Sequence, residues 1–335
     1  MDDVDNTGRS PTLVTVTPMS AHPILDEVTQ EFLDQAGVLG ALPTYGDGDG
    51  AAKFGALQFC EPDAFATSVE DVRTPNGAIG PIDIRLVRPL NASSDLPILL
   101  YFPGCGWMAG DGCSTHDRFA RQIAGASNIA VVMVAYTKAP DARFAAQIEQ
   151  GCAVREYLLE HGRGHGLDAS RLAIGGDGVG ANMAAALCIL IKQRRQASPL
   201  LQFLLCPMTA DRLETESSIA FAQGPWLTRR ALDTFIDAYL GTIPAKPNPL
   251  AFPLEAEIRD LQGLPPALII TAENDMLRDE GEAYARRLIR AGVEVCATRY
   301  LATIHDFLII DWIAETPAAR GAMAQVQSEL RRYLV

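Results

Sequence analysis

RLAIGGDGVGAN, residues 171–182, is the stretch on which the fold turns. A short apolar run ends in Gly175 and Gly176, then Asp177, Gly178, Val179 and Gly180 follow before ANMAAALCILIKQ takes up a helical period. Apolar residues bounded by glycines and followed by a helical pattern read as a strand, a tight turn and a helix. Working outward, PILLYF (97–102), IAVVMVAY (129–136), LLQFLLC (200–206) and PALIITA (266–272) have the same form, and Ile82, Ile84 and Leu86 alternate ahead of them. Segments of helical period lie between these runs, at about 115–125, 145–161, 180–194 and 279–291. Apolar strands alternating with amphipathic helices predict an α/β fold, with a mostly parallel sheet covered on both faces.

Two regions depart from that alternation. Residues 207–262 carry many prolines and one helix-like run, ALDTFIDAYL (231–240), and read as an insertion over the end of the sheet. Ahead of the main domain (61–335), the segment 1–60 holds a polar lead-in (1–19) and a helix over 22–37, with Ile24, Leu25, Val28, Phe32 and Leu33 at helical spacing. Its remainder, 41–60, is rich in Gly and Asp and reads as a mobile loop.

At 335 residues, 48% hydrophobic and 21% charged, the chain has enough apolar surface to offset its ordering entropy, which excludes intrinsic disorder. The 41 acidic and 28 basic residues give a formal charge of −13, a poor match for nucleic acid or an anionic membrane. Seven cysteines are scattered without a CxxC pair, so neither a metal site nor a disulfide framework is expected. The start, MDDVDNTGRS, is acidic where a signal peptide is basic and then apolar, and no run reaches the ~18–20 apolar residues of a bilayer span. A soluble, cytoplasmic setting is the expectation.

Ligands of open α/β sheets bind beyond the carboxyl ends of the strands. Four polar turns fall there: Pro103-Gly104-Cys105-Gly106-Trp107 with Gly110-Asp111, the 175–182 turn, Glu273-Asn274-Asp275, and Thr303-Ile304-His305-Asp306-Phe307. One competing motif, Gly176-x-Gly178-x-x-Ala181, matches a dinucleotide fingerprint. That fingerprint also needs an acid about 20 residues on, at the end of the next strand, where LLQFLLC ends in Cys206-Pro207. No cofactor is expected.

PGCGW (103–107), HDR (116–118), YTKAPDARF (136–144), GDGVGAN (176–182), DMLRDEGEAYA (275–285) and HDF (305–307) together resemble α/β-hydrolases of the hormone-sensitive-lipase, or bacterial acetyl-esterase, branch. Order and spacing agree over roughly residues 80–310. The resemblance implies an α/β-hydrolase fold with a helical cap from 1–60 and 207–262, and a small acyl or carbonyl substrate. Members of the branch often dimerise, so a homodimer is a further expectation. The resemblance also implies His305 as base, Asp275 as its orienting carboxylate, and backbone donors for an oxyanion from Gly104, Cys105, Gly106 and Val179, with Asp177 beside them.

The chain departs from the family at the decisive position. In G-x-S-x-G the nucleophile is central, and here the centre is Gly178, which has no hydroxyl. Pro103, Cys105 and Ala181 also replace the usual His, Gly and Gly. Cys105 has two readings, a small filler or a thiol nucleophile paired with His305. Asp177 as a carboxylate nucleophile fits less well, because its flanking pair would be Gly175 and Val179. Three functions follow: an esterase-lineage enzyme using Cys105 with His305, or His305 with Asp275 in hydrolytic or non-hydrolytic chemistry; a serine-deleted esterase; or a non-catalytic binding protein.

Overall fold

The apolar runs pair into one eight-stranded sheet. The computed structural model describes residues 23–39, 55, 58, 62–75, 80–92, 95–109, 113–211, 214–241 and 248–335. The lead-in 1–19, nearly all of the loop 41–60 and the pair Gly110-Asp111 lie outside the described residues. The strands are β1 (Thr67–Arg73), β2 (Asp83–Pro89), β3 (Leu96–Phe102), β4 (Ala130–Ala135), β5 (Leu167–Asp177), β6 (Leu201–Leu205), β7 (Ala267–Asn274) and β8 (Val295–Ile304). They lie in the order β1-β2-β4-β3-β5-β6-β7-β8. The β1–β2 and β2–β4 pairings are antiparallel, and every later pairing is parallel.

Strand side chains alternate between two cores, as a period of two requires. In β3, Ile98, Leu100 and Phe102 face the helices Ala146–His161, Val179–Gln193 and Arg278–Arg290. Leu99 and Tyr101 face the opposite layer, made by Glu27–Leu39, Asp117–Ser127 and Pro317–Leu334. A sheet buried on both faces explains why its central strands read as unbroken apolar runs.

The insertion forms a helix, Arg229–Leu240, started by the Thr228 hydroxyl accepting from the Ala231 amide. It lies over the loop that leaves β3. Tyr239 stacks on Trp107 with ring centroids 3.8 Å apart and 3° between planes, and Phe235 packs against Gly106. The N-terminal helix meets the same insertion through Phe32 and Trp226, whose rings are 5.1 Å apart. No helix among the described residues is long and apolar enough to cross a membrane.

Candidate active site

The turn after β5 is fixed by its own backbone. Gly178 sits at φ +50°, ψ −114°, outside the regions that side chains favour. Its N–H donates to Leu205 O at 2.9 Å, and its carbonyl accepts from Asn182 and Met208. The helix that starts at Val179 then presses on β3 so closely that a Cβ on Gly180 would lie 1.9 Å from the Phe102 carbonyl oxygen. This is the sharp strand-to-helix turn that presents a residue at the top of a sheet. A Cβ on Gly178 would point to His305, 3.3 Å from Nε2, and would lie 4.0 Å from Asp306 Oδ1.

Asp275 and His305 reach this point from the ends of β7 and β8. Their side chains meet at 2.8 Å between Oδ2 and Nδ1, with both residues buried. Asp275 is held in turn by the Leu277 amide on its other oxygen, 3.0 Å away. An imidazole so oriented exchanges a proton at Nε2. Here Nε2 faces a second carboxylate, Asp306 Oδ2, at 3.3 Å. Burial works against a charge on His305, but Asp275 and Asp306 outweigh it and raise its pKa well above the ordinary value. Burial raises Asp306 to about 7, against the opposing pull of His305.

Asp177, at the foot of the turn, is fully buried and acts as a junction. It accepts from Tyr101 Oη at 2.6 Å and from the Gly104 amide at 3.0 and 3.1 Å, and it pairs with His116 Nε2 at 3.0 Å. Burial alone would raise its pKa, but these partners, His116 foremost, hold it below the usual carboxylate range. Its carboxylate is therefore committed to holding the loop.

That commitment alters one expected donor. The Gly104 N–H is taken by Asp177 and is not free for a ligand. The N–H groups of Cys105, Gly106 and Val179 have no hydrogen-bond acceptor among the described residues. Cys105, Gly106 and Trp107 are all left-handed, at φ +67°, +63° and +59°. Tyr136 Oη braces this loop by donating to the carbonyls of Pro103 and Gly104.

The Cys105 thiol turns away from the imidazole toward Thr115. Its sulfur contacts Thr115 Oγ1 at 3.9 Å. Burial first, and then Asp177, push its pKa up to about 12. The thiol nearer the imidazole is Cys206, after β6, whose side-chain hydrogen bond contributes to raising His305. Cys206 Sγ, a His305 ring nitrogen and an Asp306 oxygen lie within 4.8 Å of one another. Burial pushes the Cys206 thiol up to about 12. Asp306, Cys206 and His116 are the site residues to which the sequence reading gives no role. Asp306 stood in the quoted HDF triplet, but only its neighbours belong to the family pattern.

Residues 99–309 match a family model described as the alpha/beta hydrolase fold. Carboxylesterase NlhH of Mycobacterium tuberculosis is 31% identical over 320 residues, 95% of this chain and 98% of that protein. The crystal structure of a thermostable esterase from Pseudomonas putida superposes with a TM-score of 0.88 at 35% identity, covering 94% of this chain and 99% of that one. A bacterial heroin esterase superposes with a TM-score of 0.82 at 30% identity, covering 93% and 98%.

Proposed function

Because the chain belongs to the alpha/beta hydrolase fold family, we propose that it acts on a small ester or related acyl compound, without a covalent intermediate on the turn residue. One observation carries this reading. A Cβ at position 178 would lie 3.3 Å from Nε2 of an imidazole already oriented by Asp275, and the residue there is glycine. Position 178 thus has the surroundings of a nucleophile and no nucleophilic atom.

The remaining parts support acyl chemistry. The amides of Cys105, Gly106 and Val179 would hold a carbonyl oxygen as it gains charge, and His305, oriented by Asp275, holds the site's proton-transfer groups in place. Such donors keep ~10³–10⁴-fold catalysis over water when a triad member is removed. Cys105 is not the nucleophile in this reading, since a thiol near 12 carries almost no thiolate at neutral pH. The segments 1–60 and 207–262 act as the cap that selects the substrate, supported by the Phe32–Trp226 and Trp107–Tyr239 contacts.

Installing the hydroxyl tests the reading. Gly178→Ser, alone and combined with Asp306→Gly to clear the space before Nε2, is assayed with p-nitrophenyl acetate and a fluorophosphonate probe. At least one variant is expected to gain tenfold or more in turnover and to be labelled on residue 178. Two folded variants with neither gain nor label would remove the ester-directed reading.

A further inference from the structure

We propose that Asp306 is the catalytic base of this site: its carboxylate takes a proton from the water molecule that attacks an ester carbonyl held on the amides of Cys105, Gly106 and Val179. The inference rests on the ester-directed reading above and adds to it the group that replaces the absent hydroxyl.

Geometry carries the assignment. Asp306 Oδ2 lies 3.3 Å from His305 Nε2. Its other oxygen, Oδ1, is buried with no hydrogen-bond partner among the described residues and lies 4.0 Å from where a Gly178 Cβ would be. A buried, unpaired carboxylate oxygen is costly and calls for a donor. Glycine at 178 leaves no side chain between this oxygen and the turn, so its missing donor is a ligand or water that enters the site. Asp306 holds φ +57°, a left-handed conformation that Asp accepts better than most non-glycine residues and that turns its carboxylate toward Nε2 of its own neighbour.

The order of the groups reassigns His305. Its imidazole stands between Asp275 on Nδ1 and Asp306 near Nε2, so its basic nitrogen meets a carboxylate as well as position 178. The proton acceptor is thereby moved one group outward, and His305 becomes the residue that positions it. Asp306 is also faced by Asp177 from the end of β5, Asp275 from the end of β7, His116 from the turn Ser114–His116 and Cys206 from the end of β6. Burial, Asp177 and Asp275 favour its neutral form and the two histidines favour its charged form, which balances it at about 7. A carboxylate so balanced is suited to proton exchange near neutral pH.

The step closes on itself. One water O–H bond breaks, its proton goes to Asp306 Oδ1, and its oxygen bonds to the carbonyl carbon while the C=O π pair moves to the oxygen. The tetrahedral intermediate collapses, the bond to the leaving oxygen breaks, and the alkoxide takes the proton from Asp306. An acid and an alcohol leave, and the carboxylate is restored.

The test uses the full chain and p-nitrophenyl acetate from pH 5 to 9. The native rate is expected to fall as pH drops through about 7, because protonated Asp306 cannot accept. Asp306→Asn should lose that limb and about 100-fold in kcat, with KM nearly unchanged. Asp306→Glu should recover part of both, and thermal unfolding of each variant establishes that it is folded. Single turnover in ¹⁸O-water should put the label in acetate and none in the peptide containing Asp306. Native rate or an unchanged pH limb in folded Asp306→Asn, or ¹⁸O in Asp306, would overturn the base assignment. Native chain without turnover also overturns it. In that event, labelling of the Gly178→Ser, Asp306→Gly variant shows that the ester-directed reading itself survives.

Discussion

Cys105 holds a left-handed conformation in a loop where its neighbours on both sides are glycines. The strain of roughly 1–2 kcal/mol per such residue, less the entropy glycine loses on folding, sets the sign of a substitution. Cys105→Gly is expected to raise stability by about 0.5–1 kcal/mol in urea unfolding, the opposite of what removing a packed filler would do. In the native chain, brief iodoacetamide treatment at pH 7 should label the exposed Cys296 well before Cys105, whose thiol is held at about 12. Peptide mass mapping decides this, and fast labelling of Cys105 would restore the thiol as a candidate nucleophile. The anomaly at 105 is legible in the sequence, but the direction of its side chain is not. That direction follows from a left-handed backbone and from Thr115, neither visible from spacing. Asp306 was hidden for a related reason: its environment comes from four other segments, and no local pattern records them.

Helices and strands were legible where burial is complete. The runs expected at 97–102, 129–136, 171–176, 200–206 and 266–272 fall on β3 to β7. β1 gives no strand signal in the sequence, because TSVEDVR alternates poorly and lies at the sheet edge, where most of its side chains keep some exposure. The loop after β3 and the turn after β5 belong to one packing arrangement, because Gly180 brings its helix into contact with the backbone of β3. Gly180→Ala should therefore destabilise the whole chain, by at least the 1–3 kcal/mol of an overpacked core. Its Cβ would meet the Phe102 carbonyl oxygen at 1.9 Å, a backbone atom with no rotamer through which to yield. A lowered Tm, or recovery only as insoluble protein, is the expected result; an unchanged Tm would mean that the helix can shift.

The molecule as a whole carries 28 basic and 41 acidic residues, and three of the acids, Asp177, Asp275 and Asp306, lie close enough at the site to act on one another. A neutral ester should therefore be turned over faster than an analogue bearing a carboxylate in its acyl chain, and added salt should narrow the difference. The kcat/KM ratio of p-nitrophenyl butyrate to its succinate half-ester analogue, at low and at ~0.5 M salt, measures this. Equal values at low salt would show that the field at the pocket is locally neutralised. At this scale the order of the site loops was readable in advance, because each follows a strand in a fixed sequence. The contents of the pocket were not. Asp177 joins Tyr101, Gly104 and His116, and none of these bonds involves the side chain at 178. The reactive position is thus a socket whose rim is assembled independently of what is plugged into it. One consequence is evolutionary: a lineage can exchange the chemistry at this socket through two codons, 178 and 306, while selection on foldability registers almost none of the change.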